Sequence, residues 1–453
     1  MLKEKKKSRF PKKLSPVQFI VLSFFGVILI GMLLLSLPIA STTGDTNLLD
    51  ALFVATSSVC VTGLTTVNTA AHWSLFGRGV ILCLIEIGGM SFMLMTLFFT
   101  MVVGKKINFG TRLVLKEALN LDEHTGVLRL GLYVLKFSFS VQLVGTVLLL
   151  VSFGPKYGFW KGLGYSLFHA VSAFCNAGFD LFGDSLESMR QDSYVMMVLA
   201  GLIIAGGFGF VVWREVLTWF KTKKMSIHSR LALNVMGGLL VGGFLLFLLI
   251  EKNLAAYSED LSFGQRLVNT FFLTVTPRTA GFNSIPYSDL SDASLIVTMI
   301  LMFIGGNSGS TAGGLKTSTL GVLGLYAWAS IHGREATVYR ERTINRKVIM
   351  RAFALFFIST AIAICAITLL SMTETIPVGV GIEYVAFEVF SAFGTVGVTM
   401  GLTPELTLIG KGVIILLMFI GRVGVYTFLL AVARRQKNND TLIRYPEENI
   451  MVG

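Results

Sequence analysis

Four times along this chain a phenylalanine stands ten residues before a glycine inside a short, moderately apolar stretch: Phe53 and Gly63, Phe168 and Gly178, Phe271 and Gly281, Phe387 and Gly397. The stretches read ALFVATSSVCVTGLT from Ala51, SLFHAVSAFCNAGFD from Ser166, TFFLTVTPRTAGFN from Thr270 and YVAFEVFSAFGTVGVT from Tyr384. Their glycines are 115, 103 and 116 residues apart, so the unit is about 110 residues long and indicates tandem duplication. A second landmark keeps the same phase. Ile87-Gly88-Gly89, Ala205-Gly206-Gly207, Ile304-Gly305-Gly306 and Ile420-Gly421-Arg422 follow the first glycines by 25, 28, 24 and 24 residues.

Each stretch lies between two longer apolar runs. The eight runs have cores at Leu14 to Leu37, Gly79 to Val103, Leu130 to Val151, Ser193 to Trp213, Leu231 to Ile250, Ala293 to Leu315, Ala352 to Met372 and Gly412 to Ala433. Crossing roughly 30 Å of hydrocarbon takes about 20 helical residues, which these runs supply. The intervening stretches are too short to cross and suit re-entrant segments. The expected fold is an all-α integral membrane protein: eight transmembrane helices and four re-entrant pore loops, in four tandem membrane-pore-membrane repeats around a central ion pathway. Expected boundaries are a basic cytosolic N-terminus at 1–13, repeats at 14–104, 105–217, 218–330 and 331–433, and a cytosolic tail at 434–453. With 53% hydrophobic and 14% charged residues and a mean hydropathy of +0.73, a soluble globular domain is excluded. The first run is one of eight and lacks a small-residue cleavage pattern, which argues against a cleaved signal.

Basic residues gather in Lys3 to Lys13, Lys105 to Lys116, Arg214 to Arg230, Arg334 to Arg351 and Arg434 to Arg444, at alternate ends of the eight runs. The positive-inside rule makes these segments and both termini cytoplasmic, in a multi-pass protein of the cell membrane. The same rule accounts for the net charge of +12 without nucleic acid, for which there is no motif. Cys60, Cys83, Cys175 and Cys365 are too scattered for a disulfide framework or metal cluster. No nucleophile with a base and no paired acids appear at helical spacing, so an enzyme is not expected.

Four inward-facing loops can offer a dehydrated cation the oxygens it needs as backbone carbonyls, with glycine where the backbone comes closest. The candidate filter is Val61, Thr62 and Gly63; Asn176, Ala177 and Gly178; Thr279, Ala280 and Gly281; and Thr395, Val396 and Gly397. The segments degenerate from the T-V-G-Y-G pattern of tetrameric potassium channels, and Gly394 to Val398 stays nearest to it. Acidic residues are absent from these filter segments, against a divalent filter built on a carboxylate ring. K+ at the filter is the only metal expected, as cargo.

The sixth run contains Gly305, Gly306, Asn307, Ser308, Gly309, Ser310, Thr311, Ala312, Gly313 and Gly314. Each glycine costs a helix about 1 kcal/mol relative to alanine, and non-helical backbone at membrane depth survives only where it lines water or is buried in protein. The segment is expected to lie beneath the filter as a gate. A phosphate-binding loop is excluded because Leu315 separates Gly314 from Lys316-Thr317. Arg422 stands alone in the last run, where a charge costs about 2.5 to 3.5 kcal/mol. It is expected near the loop, raising the barrier for cations, with pairing to Glu86 as the alternative. Arg278 and Glu388 are expected to pair behind the filter.

The repeats, the break at Gly305 to Gly314 and the arginine of Ile420-Gly421-Arg422-Val423-Gly424 together resemble the Ktr/Trk/HKT family of potassium transporters, and within it a KtrB-type membrane subunit, from about Leu14 onward. The resemblance implies potassium uptake, a homodimer with one pore per subunit, and a KtrA-type cytosolic ring of nucleotide-binding regulatory subunits that governs the gate. This chain itself is expected to hold no cofactor. Sodium stimulation is a family trait for which no site is located here. In plant relatives a serine at the first filter glycine marks sodium preference; Gly63 is glycine. The alternatives are a sodium-conducting relative and a substrate-coupled secondary transporter, the latter needing inverted repeats. If Arg422 is a barrier, Arg422→Ala leaves ion uptake unchanged or raised; a large loss of flux at normal protein levels contradicts that role.

Overall fold

In an apolar environment a backbone can satisfy its own hydrogen bonds only as helix or closed sheet, and among the described residues the apolar runs are mostly helical. The structure, a computed structural model, describes residues 16–90, 127–251 and 261–432. The expected segments 1–13 and 434–453, the basic cluster Lys105 to Lys116, the later half of the second run, Ala433 and the boundary at 104/105 lie outside the described residues.

The first unit comprises α1 (Pro16–Leu35), α2 (Leu48–Cys60), the single turn α3 (Thr69–His72) and α4 (Leu75–Gly89). The second comprises α5 (Val127–Tyr157), α6 (Phe159–Cys175), α7 (Ser193–Gly207) and α8 (Phe210–Thr222). The third has α9 (Ile227–Ile250), α10 (Phe263–Val275), α11 (Asp292–Phe303) and α12 (Thr317–Ile331). A short hairpin, β1 (Val338–Tyr339) and β2 (Arg342–Thr343), leads to the fourth: α13 (Arg346–Thr373), α14 (Glu383–Gly394), α15 (Leu408–Val423) and α16 (Val425–Val432). Polar caps start these helices where the sequence turns apolar. The Asn47 side chain accepts from Leu49 N ahead of α2, Ser74 from Gly77 N ahead of α4, and Thr407 from Gly410 N ahead of α15. Ser262 and Gln265 form a reciprocal capping box on α10.

Among the described residues, the helices long and apolar enough to cross a membrane alone lie in α1, α5, α9 and α13, the first of each unit. Two further candidates are bent pairs: α7 with α8 at 100° and α15 with α16 at 102°. The runs Ser193 to Trp213 and Gly412 to Ala433, read from sequence as continuous, are therefore broken. Their breaks fall at Gly209 (φ 89°) and Gly424 (φ 90°), a backbone region open to glycine and closed to most side chains. Among the described residues, the last run is interrupted in three units, the third by an extended segment and the second and fourth by a kink at one glycine.

The units close on one another in sequence order. The helix following each short one packs on the next unit's short helix: α4 on α6, α7 on α10, α11 on α14, and α15 back on α2. The last contact is the seam where the chain does not connect its neighbours. It is closed by the Lys411–Asp50 ion pair at 2.8 Å, with side chains 14% and 17% exposed, and by Gln18 donating to the Ala431 carbonyl at 3.3 Å. Asp50 lies in the first turn of α2, where the helix dipole also favours a carboxylate. Asp50→Ala leaves a half-buried ammonium without its partner. The expected loss, between that of exposed and fully buried pairs, is about 1 to 3 kcal/mol, read as a lower thermal midpoint in detergent; Asp50→Asn with Lys411→Met should lose less.

Candidate functional site

The four short helices end alike. α2, α6 and α14 stop at a left-handed residue, Val61 (φ 56°), Asn176 (φ 61°) and Thr395 (φ 51°), and the third unit has Thr279 (φ 72°) at the matching place. Two residues later come Gly63 (φ 97°), Gly178 (φ 70°), Gly281 (φ 80°) and Gly397 (φ 98°). The residue between has the opposite sign of φ, and such alternation turns successive peptide groups to one side. A β-branched residue at positive φ is an outlier costing of order 1–3 kcal/mol, and this chain holds three in register. The sequence reading found the glycines and missed this second set; Asn176, a residue type that tolerates the conformation, was its one visible sign.

The glycines form a ring in chain order. A Cβ on Gly63 would meet the Ala177 carbonyl oxygen, on Gly178 the Gly281 Cα and the Ala280 oxygen, on Gly281 the Val396 oxygen, and on Gly397 the Thr62 oxygen. The oxygens met are those of the four residues that precede the ring glycines. Thr62, Ala177, Ala280 and Val396 thus bring four backbone carbonyls against one set of bare Cα atoms, and all are buried.

Hydroxyls hold the ring from behind. Ser57 Oγ accepts from Gly63 N at 3.0 Å and Ser391 Oγ from Gly397 N at 3.1 Å, while Ser172 Oγ donates to the Phe179 carbonyl at 2.8 Å. In the third unit Thr276 Oγ1 donates to the Phe282 carbonyl at 2.6 Å. These residues were missed, although the signal is printed in the sequence: serine six residues before the glycine in three units, threonine five before in the other. Glu388 accepts from Thr399 Oγ1 at 2.7 Å and from Thr403, and Arg278 donates to the Gly305 carbonyl at 2.9 Å. The expected Arg278 to Glu388 pairing is therefore corrected. Each holds a backbone or hydroxyl group of its own surroundings, and nothing brings the two together.

The second glycine landmark has a structural meaning too. A Cβ on Gly88, Gly206 or Gly421 would strike the carbonyl of Val59, Phe174 or Phe393, each four residues before a ring glycine. In the third unit the matching Gly305 instead closes on Gly313, inside the glycine-rich segment. That segment is not helical. Its ends are zipped by Gly305 N to the Leu315 carbonyl at 2.8 Å. It docks on the bend between α7 and α8 through Asn307 N to Gly207 O (3.1 Å), Thr311 N to Gly206 O (3.3 Å), Phe210 N to Gly309 O (2.9 Å) and Asn307 Nδ2 to Phe208 O (2.8 Å). Ser308 shares a hydrogen bond with Ser318 at 2.8 Å, and Ser310 Oγ donates to the Asn307 carbonyl at 2.7 Å. Gly313 faces Thr395 and Gly314 faces Gly394, so the segment abuts the fourth ring loop.

Arg422 donates to the Thr311 carbonyl in this segment, and to the carbonyls of Gly88 and, at 3.1 Å, Gly89 at the end of α4. It thereby ties the third unit's loop to the first unit. Glu86 is not its partner: that carboxylate accepts from Gln142 Nε2 at 2.9 Å. Lys316, left out of the sequence-derived site, donates to the Ala312 carbonyl at 2.6 Å, a second cation bound to the loop's own backbone.

The chain matches the family described as TrkH, a cation transport protein, over residues 3–441. It is 54% identical over 448 residues to the potassium/sodium uptake protein NtpJ of Enterococcus hirae, spanning 99% of each chain. It is 40% identical over 443 residues to the Ktr system potassium uptake protein B of Bacillus subtilis, spanning 97% of each. The crystal structure of the potassium transporter TrkH from Vibrio parahaemolyticus shares its fold, with a TM-score of 0.73 over 95% of this chain and 87% of that one at 16% identity. If the ring conducts, Gly397→Ala, whose Cβ meets the Thr62 oxygen at a φ closed to alanine, abolishes rubidium flux. Ser391→Ala, which strips one ring N–H of its partner at about 1–3 kcal/mol, keeps flux and narrows rubidium over sodium discrimination.

Proposed function

The chain belongs to the TrkH family of cation transport proteins, and from that membership we propose that it is the ion-conducting subunit of a Ktr-type potassium uptake system. The observation that carries the reading is the ring of four carbonyls, from Thr62, Ala177, Ala280 and Val396, closed around glycines in four units of one chain. A potassium ion leaving water loses oxygen ligands, and stacked backbone carbonyls replace them without the charge that would trap it. The names of relatives agree: one is a Ktr system potassium uptake protein and another a potassium/sodium uptake protein.

In this reading each unit is one membrane-pore-membrane repeat, with the bounds read from the sequence. The chain crosses eight times with four re-entrant loops, and both termini are cytoplasmic. The ring selects. The segment Gly305 to Gly314, clamped by Arg422, closes the path beneath it. An inside-negative potential drives entry, at about 2.3 kcal/mol per charge per 100 mV, so no covalent chemistry is required. The chain acts as a homodimer in the cell membrane, under a separate nucleotide-binding ring that moves the segment. Sodium acts as a stimulant of uptake.

The sodium-conducting alternative keeps one specific support, the words potassium/sodium in the name of the relative that is 54% identical. Expression with and without a Ktr-type regulatory subunit, in a bacterium lacking potassium uptake, distinguishes the two. Rubidium influx well above sodium influx, and greater with the regulator, is the expected result; equal rates of the two ions overturn the potassium assignment.

A further inference from the structure

Away from the ring, at the opposite end of α9 from the connection to its short helix, lies a cavity of about 630 Å³. Its walls come from the α8 to α9 connection, with Lys224 and Arg230, and from the tip of the β1–β2 hairpin, with Arg340 and Arg342. Among the described residues none of these four cations forms an ion pair; the pairs found there are Lys156 with Asp192 and Lys411 with Asp50. Of the two carboxylates on the wall, Glu215 is already engaged, accepting from Ser226 N at 2.8 Å where α9 begins. Four cations against two carboxylates, one of them occupied, leave the cavity an excess of positive charge.

The hairpin that brings two of the arginines here is not a relaxed loop. Arg340 (φ 48°) and Glu341 (φ 64°) occupy the left-handed region consecutively, which glycine and asparagine ordinarily fill in such two-residue turns. Asn234 Nδ2 on α9 donates to Tyr339 Oη at 2.8 Å and fixes the hairpin over the helix. A strained turn thus holds like charges together, an arrangement that calls for an anion between them.

A second cavity of about 300 Å³ shares Met225, Arg230 and Arg340 with the first and continues it onto Trp219 and Leu233. Trp219 lies on α8, which leaves α7 at 100° and exposes Leu217 and Phe220 as well. A helix turned aside at the end of a span, apolar on one side and carrying tryptophan, suits the membrane interface.

The geometry points to a binding site for the phosphate of an anionic phospholipid, with the headgroup between Arg230, Arg340 and Arg342 and the glycerol and upper acyl carbons on Trp219 and Leu233. The apolar annex favours a lipid over a soluble phosphate. The site rests on the chain's reading as a membrane protein and is independent of which ion the ring passes.

The test uses the full chain purified in a neutral detergent and titrated separately with phosphatidylglycerol, phosphatidylcholine and inorganic pyrophosphate. Thermal midpoint and lipid retention by native mass spectrometry are read. Phosphatidylglycerol should be retained and raise the midpoint while phosphatidylcholine does not. R340Q/R342Q should weaken that response by roughly tenfold or more, as the loss of two basic contacts near an anionic headgroup implies, and the charge-preserving R340K/R342K should keep most of it. A response of equal size in R340Q/R342Q, or no preference for phosphatidylglycerol in the unaltered chain, overturns the site. Stabilisation by pyrophosphate as strong as by the lipid overturns the lipid assignment. Rubidium uptake by the same variants separates failure here from failure of the transport reading.

Discussion

Everything in this structure is arranged around a place where four backbones approach too closely for side chains. At Gly63, Gly178, Gly281 and Gly397 a single Cβ would land on a neighbouring loop's carbonyl or Cα. That contact fixes the loops at one depth and in one order. It also requires the short helices to stop abruptly, hence the left-handed residues at Val61, Asn176, Thr279 and Thr395. Helix termini, serine hydroxyls and the cyclic packing of each unit on the next are the means by which bare backbone is held open against collapse.

The sequence disclosed the parts of this arrangement that depend on residue identity. Glycine where nothing larger fits, a period of about 110 residues and charge-free runs between basic segments are statements about composition at fixed positions. The glycine-rich segment was legible for the same reason, since glycines and polar side chains at membrane depth cannot make a stable helix. What stayed hidden depends on geometry. The kinks at Gly209 and Gly424 each turn on one glycine among many in apolar helices, and hydropathy does not distinguish a packing glycine from a hinge. The partners of Arg278, Glu388 and Arg422 were misjudged or left open because opposite charge is a poor guide where backbone carbonyls are plentiful. An arginine with five donors finds carbonyls at a broken helix as readily as it finds a carboxylate.

The units share a plan and divide its tasks. The first and fourth meet at a seam with an ion pair, the second supplies the bend on which the glycine-rich segment docks, the third supplies the segment, and the fourth supplies the arginine that clamps it. Because the copies lie on one chain, a change in one quarter need not be matched in the other three, which a symmetric assembly of four identical subunits would demand.

In the gating role proposed for it, that clamped segment sets the scale of work for whatever moves it. Releasing it from α7, α8 and Arg422 breaks the bonds of Asn307, Phe208, Gly309 and Thr311 described above. At about 0.5–1.5 kcal/mol net for each of roughly five such bonds, they contribute about 3 to 7 kcal/mol to the docked arrangement. A displaced segment is then populated less than about one time in a hundred unaided. In that role, an effector that opens it must bind the displaced form some hundred to a hundred thousand times more tightly than the docked one, a demand on differential affinity that binding strength alone does not meet.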